Sequence, residues 1–169
     1  MPLNAQGVAV SRTRAREIAL HLIYEMNFRT FENDGEILEC LDEGAMQSLA
    51  GEAKLYEKPL TERQRSYILS IVKGVAEKQA ELDEKIVSNS KGWSLKRITR
   101  ISRAILRLAL YEMAYVEDVP VGAAINEAVE LAKEYDSEEA GRFINGILGA
   151  VGRSLPQKDE MQSGEQADE

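Results

Sequence analysis

Cysteine and histidine are almost missing from this chain, with one of each in 169 residues. A single thiol, Cys40, excludes an intrachain disulfide. No cationic leader followed by an apolar stretch opens the chain, so a reducing cytoplasm is the expected compartment. With His21 as the sole imidazole, a di-metal carboxylate bundle, which draws a histidine from each of two helices, lacks its ligands. A zinc site would have one His and one Cys to work with, and no acidic loop has EF-hand spacing. No phosphate-binding glycine loop or dinucleotide fingerprint is present either, so neither metal nor cofactor is expected. His21 falls on a core-type helical face and reads as a structural histidine rather than the base of a nucleophile, and the chain is not expected to be an enzyme. Long apolar runs are lacking too. The longest, residues 104–111, is interrupted by Arg107, far short of the roughly 20 residues that a membrane span needs.

What is present is an ordinary globular composition, 44% hydrophobic and 30% charged, enough to bury a core. The net charge is −8, yet the charge is unevenly spread. No acidic residue lies among residues 1–16, where Arg12, Arg14 and Arg16 crowd the expected mouth of the first helix. Cations are mildly unfavourable at that end of a helix dipole, which suggests an anionic partner. Residues 88–107 carry Lys91, Lys96, Arg97, Arg100, Arg103 and Arg107, again without an acid. Affinity for a polyanion depends on such local patches more than on total charge.

The apolar spacing is helical throughout, and no convincing period-2 strand appears. Residues 1–10 read as a flexible arm. Helices are expected over residues 12–30, 34–49, 61–89, 100–116 and 121–135, with a last one after Ser137 and a short one capped by Ser94. Thr61-x-x-Gln64 matches a capping box, and Ser137 can cap the final helix. Gly141, Gly146, Gly149 and Gly152 suggest close helix approach or a broken end. The acidic tail, residues 156–169, is expected to be disordered. The chain therefore reads as all-α, one compact helical domain of about seven helices, with an N-terminal subdomain over residues 11–89 and a C-terminal one over residues 90–155.

An internal echo reads either as two related helical halves or as the likeness of any two amphipathic helices of similar burial. Laying residues 16–28 (REIALHLIYEMNF) on residues 103–115 (RAILRLALYEMAY) matches Arg, Ile and Tyr-Glu-Met in register, with an aromatic closing both. Tyr24 and Tyr111 then occupy equivalent places. Within the second segment, Arg100, Arg103 and Arg107 share one stripe at i, i+3 and i+7, while Ile98, Ile101, Ile105 and Leu108 form another. The expectation is that the apolar stripe packs and the basic stripe binds. Arginine suits phosphate because its planar fork donates two hydrogen bonds at once. Aromatics near Arg142, namely Tyr135 and Phe143, would stack on unpaired bases.

Taken in order, SRTRAREIALHLIYEM, RAILRLALYEM, DVPVGAAINEAVELAKEY and RFINGIL closely resemble the bacterial NusB family of transcription antitermination factors. The resemblance covers residues 12–155 and implies two small helical subdomains. It also implies binding to the boxA element of nascent single-stranded RNA, especially ribosomal RNA leaders, as a heterodimer with NusE, a small-subunit ribosomal protein. That complex supports processive elongation by RNA polymerase. The family's arginine-rich motif falls on Arg12, Arg14 and Arg16, with Thr13 where some members have another arginine. The segment near RNA falls on Glu139, Arg142 and Phe143. NusE is expected around the helix that starts near Arg100, where Ser102 stands at a position that is acidic in some relatives. The candidate RNA-binding residues are thus Arg12, Arg14, Arg16, Tyr24, Arg103, Arg107, Glu139, Arg142 and Phe143.

Two rivals stand beside this reading. A similar helical domain precedes the catalytic domain of some ribosomal RNA cytosine methyltransferases, but a chain of this length without a glycine-rich cofactor fold is not expected to be that enzyme. The other rival is a purely protein-binding adaptor or homodimer whose basic stripe meets an acidic protein. Whether the free protein is a monomer or a homodimer stays open.

Overall fold

The computed structural model describes residues 2–92 and 94–156, with side chains from residue 12 onward. Seven α-helices are present among them, with no strand: α1 (Pro2–Glu25), α2 (Asp34–Glu39), α3 (Glu43–Ala50), α4 (Glu62–Ser88), α5 (Arg100–Tyr115), α6 (Val121–Tyr135) and α7 (Glu138–Ser154). Short 3-10 turns cover Lys54–Tyr56 and Leu95–Arg97. The acidic tail expected from residue 156 lies, from 157 on, outside the described residues.

The helix boundaries follow their caps. In the Thr61–Gln64 box, the Thr61 N–H donates to Gln64 Oε1 at 2.9 Å and the Gln64 N–H to Thr61 Oγ1 at 3.1 Å. Thr99 and Ser137 accept from the backbone N–H groups of Ser102 and Ala140, starting α5 and α7. These reciprocal bonds satisfy amides that have no partner within the helix. The single helix expected over residues 34–49 is in fact two. Asp42 accepts from the Ala45 N–H at 2.8 Å and so restarts the chain as α3, just as Asn33 starts α2 by accepting from Glu36. Ser94 precedes its short turn without making a side-chain cap.

Another correction concerns α1, which begins at Pro2 rather than near residue 11. Proline fits a first helical turn because its missing N–H would be unpaired there anyway. Arg12, Arg14 and Arg16 therefore sit within the helix and not at its mouth, and the dipole argument for an anionic partner no longer applies to them. α1 also stops earlier than expected. Asn27 Nδ2 donates to the Tyr24 carbonyl at 2.7 Å and covers an exposed helix end.

The chain divides into two compact units, Met1–Glu77 and Lys78–Glu169. The division lies inside α4 rather than at its end near residue 89, because α4 supplies core side chains to each. In the first unit, Ile18, Ala19, Leu20 and Ile23 of α1 are buried, as are Ile37, Met46, Ile68, Ile71 and Val72. In the second unit, every residue from 104 to 110 in α5 is buried, together with Leu82, Ile86, Leu131, Ile144 and Leu148. Here α5, α6 and α7 pack on one another. Gly141 and Gly152 mark close approach of α7 to α6: a Cβ on either would lie 3.2 Å from Lys133 Cγ or Val121 Cγ1. Gly146 faces open space, so the glycines of α7 do not share one cause. Among the described residues no helix is long and apolar enough to cross a membrane.

Candidate nucleic-acid interface

In the first unit, the three arginines of α1 have different surroundings. Arg14 turns inward: its Nε donates to the Leu55 carbonyl at 2.9 Å, and its two terminal nitrogens donate to the carbonyls of Pro59 and Lys58. Burial lowers its pKa from the ordinary arginine value. Arg16 is only 5% exposed. Arg12 is half-buried, with its guanidinium 5.0 Å from the centre of the Tyr67 ring, a cation–π contact. The cluster therefore serves the fold more than expected. Arg14 is tied to the loop carbonyls of residues 55, 58 and 59, and Arg16 is enclosed in the core.

Tyr24 is half-buried near the end of α1, and Phe28 meets it edge-on at 5.7 Å between ring centres. Phe28 is 63% exposed. In the sequence it is only the aromatic that closes a repeat, since a period of hydrophobic residues cannot tell a ring inside the helix face from one just beyond its end. His21 behaves as a structural histidine. Its Nδ1 lies 2.6 Å from the Tyr56 hydroxyl. Burial lowers the His21 pKa against the opposing pull of Glu17, and burial with Glu17 and Glu25 pushes the Tyr56 phenol up to about 12. A neutral imidazole accepting from a protonated phenol fits both shifts. Cys40 is half-buried and donates to the Glu36 carbonyl at 3.4 Å. Burial and nearby carboxylates raise its pKa, the opposite of an activated thiol.

In the second unit, the basic stripe of α5 runs from solvent into the interior. Arg100 is exposed and Arg103 half-buried, but the Arg107 side chain is only 8% exposed. Arg107 forms a two-pronged ion pair with Asp83 of α4, Nε to Oδ1 at 2.7 Å and Nη2 to Oδ2 at 2.9 Å. Two of the three guanidinium nitrogens are thereby committed to Asp83. Arg107 thus has a structural partner that the stripe alone does not reveal, since only the fold puts Asp83 in front of it.

Arg103 is the opposite case. Its Nε is buried and has no hydrogen-bond partner, the sole such side-chain atom among the described residues. Its pKa is lowered by burial first and then by the charges of Arg107 and Arg100, with Asp83 partly offsetting them. Arg103 is thus a half-exposed cation among cations, one of whose donors is enclosed without a partner.

On α7, Glu139 and Arg142 are exposed and Phe143 is half-buried. Glu138 and Glu139 occupy the first turn, where the helix dipole favours carboxylates. Arg142 borders an open groove of about 360 Å³ between α6 and α7, shared with Asn126, Lys133, Glu138 and Asn145. Tyr135, at the end of α6, is half-buried. Arg142 and Phe143 are neighbours in sequence and diverge by about 100° around the helix, so one can meet a phosphate and the other a base plane. No cluster of three or more metal-ligating side chains occurs among the described residues.

Known proteins resemble this chain over most of its length. Residues 13–153 match the model of the NusB family. A transcription antitermination protein NusB of Acetivibrio thermocellus is 46% identical over 142 residues, covering 84% of this chain and 88% of that one. Among solved structures, NusB of T. maritima superposes with a TM-score of 0.69 at 26% identity, covering 89% of this chain and 96% of that one. A crystal structure of the antitermination factors NusB and NusE in complex with double-stranded RNA gives a TM-score of 0.66 at 25% identity, with 86% and 98% covered.

Proposed function

The chain belongs to the NusB family, and on that premise we propose that it is a transcription antitermination factor that binds boxA RNA of nascent ribosomal transcripts together with NusE. In this role it supports processive elongation by RNA polymerase. The correspondence with the NusB family from residue 13 to residue 153 carries the reading, since it takes in both units and every candidate residue but Arg12. A solved relative accompanied by NusE and RNA supports the choice of partners. The chemistry of the residues supports it further. Arg12, Arg103 and Arg142 supply phosphate contacts, Tyr24 and Phe143 supply ring surfaces for bases, and Glu139 moderates affinity by its charge. Arg14, Arg16 and Arg107 hold the helices that carry them. Phosphate contacts position an RNA while base contacts confer specificity.

The test is the affinity for boxA RNA against a scrambled RNA of equal length, with and without NusE, at several salt concentrations. A preference for boxA that grows with NusE is expected, with a log–log salt slope near −0.7 per phosphate neutralised on a single strand. A duplex of the same sequence belongs in the series, because ring stacking needs unpaired bases. Indifference to sequence in the presence of NusE would leave the adaptor reading, in which the basic residues meet an acidic protein. Solution mass, alone and with NusE, decides between a free monomer and a homodimer.

A further inference from the structure

Asp136 joins the helix ends of the second unit that carry the candidate RNA residues. Its Oδ2 accepts from the Thr99 hydroxyl at 2.6 Å and from the Ser102 hydroxyl at 2.7 Å. Thr99 Oγ1 at the same time accepts from the Ser102 N–H at 3.2 Å as the N-cap of α5. Asp136 itself ends α6, with φ −128° and ψ −90°, and Ser137 beside it caps α7. The corner is tight: the N–H groups of Asp136 and Ser137 both donate to the Ala132 carbonyl, at 2.9 and 3.0 Å. One carboxylate oxygen thereby ties the first turn of α5 to the α6–α7 corner. Arg100 and Arg103 lie in that turn of α5, while Glu139, Arg142 and Phe143 lie in the first two turns of α7.

We propose that Asp136 is a positioning residue for RNA binding, holding Arg103 in register with Arg142 and Phe143 without touching RNA itself. The proposal rests on the RNA-binding reading above. Asp136 is exposed and negatively charged, so its direct effect on a phosphate backbone is repulsive, and any benefit to RNA binding has to come from geometry. Both hydroxyls converge on a single oxygen. An amide carbonyl in its place can accept both, which allows geometry to be separated from charge.

The experiment measures boxA RNA affinity of the full chain in the presence of NusE by fluorescence anisotropy, at a temperature where thermal unfolding shows each variant to be folded. Asp136→Ala is expected to weaken binding roughly five- to thirtyfold, and Asp136→Asn to stay within about twofold of wild type. Thr99→Val combined with Ser102→Ala should reproduce the Asp136→Ala loss. Phe143→Ala should weaken wild type roughly tenfold but the Asp136→Ala variant less than about threefold, since a displaced ring has less to lose. An undiminished Phe143→Ala effect in the Asp136→Ala background would mean a merely structural role and overturn the proposal. So would Asp136→Ala binding like wild type, or Asp136→Asn falling as far as Asp136→Ala, which would place the charge itself on the RNA. If Asp136→Ala does not fold, Ser102→Ala, which removes one of the two bonds, carries the same coupling test. Wild type that does not prefer boxA refutes the functional reading, and this proposal with it. Wild type that prefers boxA beside an unaffected Asp136→Ala refutes the proposal alone.

Discussion

α1 and α5 share a register and use it for different purposes. Arg16 corresponds to Arg103, Ile18 to Ile105, Tyr24 to Tyr111 and Phe28 to Tyr115. Each segment ends in an aromatic pair four residues apart, with ring centres 5.7 Å apart for Tyr24 and Phe28 and 5.1 Å for Tyr111 and Tyr115. The isoleucines are buried in both. The polar members diverge. Arg16 is closed in the core while its counterpart Arg103 is half-open with an unmet donor. Glu25 is half-exposed beside Arg29, whereas Glu112 is 1% exposed. Phe28 ends in solvent, while the Tyr115 hydroxyl donates to the Glu81 carboxylate, 2.7 and 2.8 Å from its two oxygens. A repeated pattern fixes which side chains share a helical face; the element packed against that face decides whether an arginine is a strut or a ligand for something outside.

The comparison can be broken most sharply at Arg107. Arg107→Ala leaves Asp83 without its partner in a poorly solvated place, and a loss of about 3–5 kcal/mol in stability is expected by urea denaturation. Arg107→Lys should recover only part of it, because an ammonium cannot match the two-pronged pairing. Arg14 is the α1 counterpart, a strut bonded to carbonyls instead of a carboxylate. Arg14→Ala should cost about 1.5–3 kcal/mol, a smaller loss since the abandoned carbonyls can turn to water. Equal losses at the two positions would contradict the distinction drawn between them.

A smaller effect is expected at the cap of α7. Ser137→Ala should lower stability by about 1 kcal/mol while Ser137→Asp stays near wild type, as circular dichroism during thermal unfolding would register. The smallest concerns pH. Burial holds the His21 pKa below its ordinary value, so the unfolded chain takes up a proton more readily than the folded one. The stability that His21 contributes is complete above its unfolded pKa near 6.5 and is lost as the pH falls below it. The stability gap between wild type and His21→Asn should therefore narrow between about pH 7.5 and about pH 5.5. A gap that widens on acidification would mean that His21 is held as a cation.

The helices were legible because their signals are local. The Thr61–Gln64 box and the Ser137 cap need only four residues of context, and the apolar spacing of α5 and α7 needs only the helical period. The break between α2 and α3 lay in one residue, Asp42, whose capping role competes with an otherwise continuous apolar pattern. The roles of the arginines were not legible for a different reason. Asp83 lies 24 residues from Arg107, and the carbonyls that take up Arg14 lie more than 40 residues away. No period along the chain reports such pairings. Asp136 is illegible for the same reason: an aspartate before a capping serine is ordinary helix punctuation, and Thr99 and Ser102, which converge on it, lie more than 30 residues away.

On the proposed reading the arginines divide their labour, with Arg12, Arg103 and Arg142 meeting RNA and Arg14, Arg16 and Arg107 serving the fold. This division is tested most directly by the salt dependence of boxA binding, with NusE present, for a variant in which Arg12, Arg103 and Arg142 are all replaced by alanine. A log–log slope shallower by about 2 is expected, the sum of three lost phosphate contacts, with thermal stability essentially that of wild type. An unchanged slope in that folded variant would contradict it.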